Sequence, residues 1–172
     1  MSLLKEYTRE KHNLVESTRY MRAIFERRLP IDLWYDLIYQ KSLFYEIIED
    51  NASCFIEDIP GIRRYHYLRD EYLLNNKTFK YRTETIEYYN YLTTVDDRKI
   101  LSHLYTWHMG DMYGGQMIKK ILNIDSPSLT FENRATLIDR LEQKLDIDLV
   151  KEANIAFEWA YKILNSYDNE IT

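Results

Sequence analysis

Three of the chain's four glycines, Gly110, Gly114 and Gly115, fall inside one run, LYTWHMGDMYGGQMIKKI from Leu104 to Ile121, whose flanks have helical spacing. Each interior glycine costs a helix roughly 0.5–1 kcal/mol relative to alanine. A chain that uses glycine so sparingly elsewhere needs its backbone bare here. At about 100° per residue, Gly110, Asp111, Gly114 and Gly115 cover an arc of roughly 140°. The arc carries one chemically active side chain, the carboxylate of Asp111. Two readings stand. In one, Gly110 and Gly114 let a second helix approach, and Asp111 points to water. In the other, a flat ligand lies against the backbone and Asp111 holds water near it. Gly115 favours the ligand, because one close helix contact does not need three glycines.

The remaining pattern is helical throughout. Leu4, Thr8, Lys11 and Val15, with Met21, Ile24 and Phe25, predict one long helix over Ser2–Arg28, stopped by Pro30. Leu33, Leu37, Ile38, Phe44 and Ile48 predict a second over Ile31–Glu49, with Asp32 as N-cap. Further helices are expected at Gly61–Leu74, Thr83–Leu92, Asp97–Leu122, Thr130–Leu145 and Leu149–Leu164, the last capped by Asp146 or Asp148. No period-2 strand, internal repeat or low-complexity segment is visible. The expectation is all-α: about seven helices in a multi-helix bundle, one domain over residues 1–172.

Composition narrows the function. The net charge of −5 argues against a dedicated nucleic-acid binder. One cysteine, Cys54, rules out an internal disulfide and a cysteine-built zinc site and suits a cytoplasmic setting. No secretory signal and no apolar run near the ~20 residues of a membrane span is present. Tyrosine is over-used, at 16 residues, and buried tyrosine hydroxyls need partners.

Of the four histidines, His12 lies one turn before Glu16, and a carboxylate at that spacing orients an imidazole as metal-ligating histidines require. The plain alternative is a structural or surface histidine. No HExxH, paired Glu-x-x-His or His/Cys cluster exists, which disfavours a zinc hydrolase or a di-iron bundle. A lone histidine in a ligand-poor helical chain suits haem, whose macrocycle supplies the other four ligands. Lys5 and Arg9 share a face with His12 and could meet an anionic group or simply be solvated. Tyr105 could reach a ligand edge or complete the core. Lys119 and Lys120 read as helix-end charges.

Taken together, these stretches resemble a known family. LLKEYTREKHNLVES (Leu3–Ser17) resembles the first-helix motif of haem oxygenases, the glycine run resembles their distal motif Y-T-R-Y-L-G-D-L-S-G-G-Q, and LVKEANIAF (Leu149–Phe157) resembles their last-helix motif E-A-x-x-A-F. The resemblance implies haem held between the first, proximal helix and the glycine-bearing distal helix. His12 is then the iron ligand, with Glu16 as its partner. Gly110 and Gly114 lie over the distal face beside Gly115, and Asp111 organises the distal water that delivers a proton. Lys5 and Tyr105 meet the propionates, as does Arg134 or, in competition with it, Arg140. Phe157 packs in the pocket. Trp107 and His108 stand where the family has Arg and Tyr, and Thr130 where it often has Lys. About 200° from Gly110, His108 should face away from the glycines. The implied reaction is oxidative cleavage of haem to biliverdin, carbon monoxide and ferrous iron with O2. Its electrons come from ferredoxin or a flavoprotein reductase, and a bilin reductase follows as a downstream partner. A non-catalytic haem carrier or sensor of the same fold is the alternative. A helical bundle whose glycines only let helices touch is a further one.

Overall fold

The computed structural model describes residues 3–172, with the backbone alone at Asp97. Among these residues every regular element is helical. The elements are α1 (Leu3–Tyr7), α2 (Arg9–Glu16), α3 (Arg19–Phe25), α4 (Ile31–Asn51), α5 (Tyr65–Leu73), α6 (Thr83–Leu92), α7 (Ile100–Leu104), α8 (Gly110–Leu122), α9 (Arg134–Glu142) and α10 (Val150–Asn165), joined by short 3-10 turns. The expected seven become ten among the described residues, because the first helix is cut twice and the glycine helix once.

The cuts in the first helix have a local cause. Thr8 turns its hydroxyl back onto the Leu4 carbonyl at 2.6 Å, with φ −108° and ψ 3°. Ser17 and Thr18 bond the carbonyls of Leu14 and Val15, and Thr18 then caps α3 by accepting from the Met21 N–H. Such hydroxyls offer the backbone an alternative to helix continuation. The expected start at Ser2 lies outside the described residues. Pro30, not Asp32, is the N-cap of α4. Its missing N–H costs nothing there, while Asp32 sits in the first turn and pairs with Lys77. The Asp146 carboxylate accepts from the Asp148 N–H in the turn leading to α10.

At 21 residues, α4 runs about 31 Å and is the spine against which α5, α6 and α7 pack. On the other side, α10 packs on α2, α3, α6 and α7, and α3 also meets α8. The core between them is rich in tyrosine. Tyr20, Tyr45, Tyr88 and Tyr167 are fully buried, and each hydroxyl is engaged: by the Leu33 carbonyl, Asp111, His103 Nδ1 and Asp36 respectively. No described helix is long and apolar enough to cross a membrane.

Candidate active site

Between α7 and α8, Tyr105–Met109 forms one turn of π-helix, and all five side chains are buried. Single π turns inside α-helices are rare and cluster at functional sites. This one directs Trp107 and His108 into the core. The Trp107 Nε1–H donates to the Tyr88 hydroxyl at 3.1 Å, and its ring packs on Phe44. His108 is fully buried, with Nε2 2.8 Å from Glu49 and its ring stacked on Tyr45 at 4.4 Å. Burial raises the Glu49 carboxyl. The His108 imidazole and the N–H donors of Arg64 and Tyr65 outweigh that and hold it below the usual range. His108 thus serves Glu49 on α4, away from the open face.

That face begins at Gly110. A Cβ added to Gly110 or to Gly114 would meet nothing within 4 Å. Neither glycine is there to admit another helix, so the helix-contact reading fails for both. Tyr113 and Met117, each 54% exposed, extend the open surface along α8. Gly115 is a correction. It was expected on the ligand wall, but its Cβ would come within 3.2 Å of Leu129, and the residue is buried. It exists to let the Pro127–Leu129 turn close on α8. The Gln116 amide bonds the Leu129 carbonyl, and Glu71 and Arg64 hold the same loop through Ser126, Ser128, Pro127 and Thr130.

Asp111 does not stand alone with water. The Lys41 ammonium donates to Oδ1 at 2.9 Å and Oδ2 at 3.1 Å, and the Tyr45 hydroxyl donates to Oδ2 at 2.6 Å. The Lys41 side chain is 4% exposed and that of Asp111 13%. Burial, then the charge and hydrogen bond of Asp111, push the Tyr45 hydroxyl well above its ordinary value, so it stays a donor. The sequence reading missed Lys41, Tyr45 and Glu49. Their signal was the four-residue spacing of Lys41, Tyr45 and Glu49, which puts all three on one face of α4.

On the other side, His12 on α2 has Nε2 3.6 Å from Glu16 Oε1, and both side chains are about half exposed. That is beyond hydrogen-bond length. Phe157 from α10 sits edge-on to His12 at 5.8 Å and to Tyr105 at 6.3 Å. It is the side chain that joins the His12 segment to the start of the π turn. A second link is the Lys5 ammonium, 5.4 Å from the Tyr113 ring centroid. Arg134 donates to the Met112 carbonyl of α8 at 3.2 Å, whereas Arg140 is held on the Asp58 carbonyl at 2.8 Å. Of the two competing arginines, the structure sets Arg134 against the glycine helix. Arg9 is exposed on α2, and Lys119 bonds the Thr130 hydroxyl.

These features fit a flat, largely apolar ligand. Two open glycines on α8 would otherwise weaken a helix for nothing, and exposed Tyr113 and Met117 continue their surface. Lys5 and Arg134 bring cationic side chains against α8. No group of three or more His, Cys, Asp or Glu side chains gathers as a metal cage among the described residues.

The family model described as Heme oxygenase matches residues 1–143, and the chain belongs to that family. Heme oxygenase 2 of Macaca fascicularis is 25% identical over 205 residues, covering 96% of this chain and 64% of its own length. The chain therefore spans under two thirds of that relative. Among solved structures, heme oxygenase-1 of the cyanobacterium Synechocystis sp. PCC6803, determined in complex with heme, superimposes with a TM-score of 0.85 at 19% identity, covering 97% of this chain and 91% of that one. Heme oxygenase of Leptospira interrogans gives 0.83 at 18% identity, covering 96% and 100%. At these identities the superpositions establish the shared all-helical fold.

Proposed function

We propose that this protein is a haem oxygenase that binds haem as its substrate and cleaves it to biliverdin, carbon monoxide and ferrous iron, consuming O2 and external electrons. The observation that carries this is the open backbone at Gly110 and Gly114 beside a nearly buried, doubly held Asp111. When bound, haem supplies both the iron that activates dioxygen and the carbon skeleton that is cut. The chain's own residues do the rest. His12 provides the iron ligand, and its contact with Glu16 orients the ring. Phe157 walls the site between His12 and Tyr105. The bare α8 backbone lets a macrocycle approach more closely than any side chain would allow. Lys5, Tyr105 and Arg134 are the anchors for the propionates.

Asp111 is the distal proton-handling group. Oδ2 already accepts from both Lys41 and Tyr45, while Oδ1 accepts from Lys41 alone. A carboxylate oxygen has two accepting directions, so Oδ1 is the atom left to orient water and pass a proton. His108 is tied to Glu49, so no histidine acid competes on that side.

The electrons come from ferredoxin or a flavoprotein reductase, and a bilin reductase is the proposed consumer of the product. With its single, exposed cysteine, the protein suits the cytoplasm. Hemin titration followed by aerobic turnover with reduced ferredoxin, with catalase present, tests the proposal. A Soret complex that yields biliverdin by chromatography is expected. A stable complex that yields none would make the protein a haem carrier or sensor, and no complex at all would overturn haem binding.

A further inference from the structure

We infer that Lys41 is the positioning residue for Asp111, supplying from α4 the distal cation that this chain lacks at position 107. The inference rests on the reading of Asp111 as the distal proton-handling group. Trp107 is turned inward onto Tyr88 and Phe44 and carries no charge, so its own side chain supplies no cation to Asp111. Lys41 reaches the carboxylate from the neighbouring helix and bonds both of its oxygens, at 2.9 and 3.1 Å. Its ammonium also lies 4.9 Å from the Tyr45 ring centroid, and Tyr45 donates to Oδ2 of the same carboxylate. Lys41 and Tyr45 stand one turn apart on α4 and grip Asp111 together.

The geometry is specific. A buried lysine in a mainly apolar helix is disfavoured unless it is paired. The other carboxylate in its field, Glu71 on α5, is already engaged by Ser126 and Ser128. Asp111 is the ammonium's hydrogen-bonded partner among the described residues. Bidentate contact fixes the plane of the carboxylate, so the accepting direction left on Oδ1 is fixed with it. Lys41 thereby sets where a distal water can sit without touching the substrate itself.

The test compares Lys41→Met, Lys41→Arg, Asp111→Asn and the Lys41→Met/Asp111→Asn double variant as full-length hemin complexes. The readouts are hemin affinity, the pH midpoint of ionisation of the iron-bound water in the ferric complex, and verdin turnover. Removing a positive charge near that water makes its hydroxide less stable. Lys41→Met is therefore expected to raise the midpoint by about half a unit or more, leave hemin affinity within about twofold, and slow verdin formation at least about tenfold. Lys41→Arg should restore much of both. In the Asp111→Asn background the Lys41→Met change should add little to the loss of turnover. If Lys41→Met does not fold, Lys41→Gln is read by the same midpoint. A Lys41→Met midpoint and turnover equal to wild type would overturn the inference, as would an undiminished effect in the Asp111→Asn background. Full turnover by Asp111→Asn would instead sink the underlying reading of Asp111, and the role of Lys41 with it.

Discussion

The ring of Phe157 meets the imidazole of His12 edge-on, with centroids 5.8 Å apart and planes at 85°. One face of the imidazole's surroundings is therefore defined by α10, outside the residues 1–143 matched by the family model. The same ring reaches Tyr105, so it couples the orientation of His12 to the start of the π turn. Replacing His12 by Ala should abolish the spectrum of histidine-ligated hemin, and free imidazole added to the variant should restore it. An unchanged Soret band in His12→Ala would refute the ligand assignment. Phe157→Ala should keep the ligand but broaden the band, because the ring then samples more orientations.

The three glycines of α8 should separate cleanly. Gly110→Ala and Gly114→Ala place a methyl group in open space, so each should stabilise the apo-protein by roughly 0.5–1 kcal/mol through helix propensity. The same methyl groups should weaken hemin binding. Gly115→Ala should instead destabilise by about 1–3 kcal/mol, because the Leu129 Cβ and carbonyl stand 3.2 and 3.4 Å from the new atom and belong to a loop held by Glu71 and Arg64. Thermal melts of the three apo-variants and their hemin titrations decide the matter. A destabilised Gly114→Ala with normal hemin affinity would contradict the assignment.

Asp111→Asn keeps the shape and the Tyr45 donor but loses the charge that pairs with Lys41. It should still bind hemin and fail to make biliverdin. Normal verdin yield from this variant would remove Asp111 from the mechanism.

A third buried network should add to the acid sensitivity of the fold. His103 lies between the Tyr88 hydroxyl, 2.7 Å from Nδ1, and Glu152, 2.8 Å from Nε2. Burial lowers the His103 pKa below its ordinary 6.5, and Glu152 offsets only part of that. Below about 6.5 the unfolded histidine takes up a proton that the folded one resists, so the unfolded state binds more protons. The contribution is complete above that value and is lost as pH falls from it toward the folded pKa. Melting temperature should therefore drop between pH 7.5 and 5.5, and His103→Phe should flatten that drop. An equal slope in the variant would assign the acid loss elsewhere.

Most of the helices were legible because their apolar positions recur at 3.6-residue spacing, and the glycine run announced a bare surface by its cost alone. The breaks at Thr8 and Ser17–Thr18 were not, because the same residues at those spacings also fit an unbroken helix. Gly115 was misassigned because a glycine that serves a loop and one that serves a ligand look alike until Leu129 is in place. Lys41 is 70 positions from Asp111, and no local pattern encodes such a meeting. Trp107 and His108 were visible as departures from the motif. Only burial shows that both are spent on the core, with Tyr88 and Glu49.

The π turn at Tyr105–Met109 gives the distal segment a reading frame. It takes up one surplus residue while the side chains upstream of Gly110 and those downstream of it keep nearly the phase of a continuous helix. Removing one residue would turn it into ordinary helix with the flanking phase nearly kept, because four α residues sweep about the same angle as five π residues. One of its five buried side chains would go, and if that were His108, Glu49 would lose its partner. The extra position is thus what lets this segment bury five consecutive side chains while Gly110 and Gly114 stay on the open face.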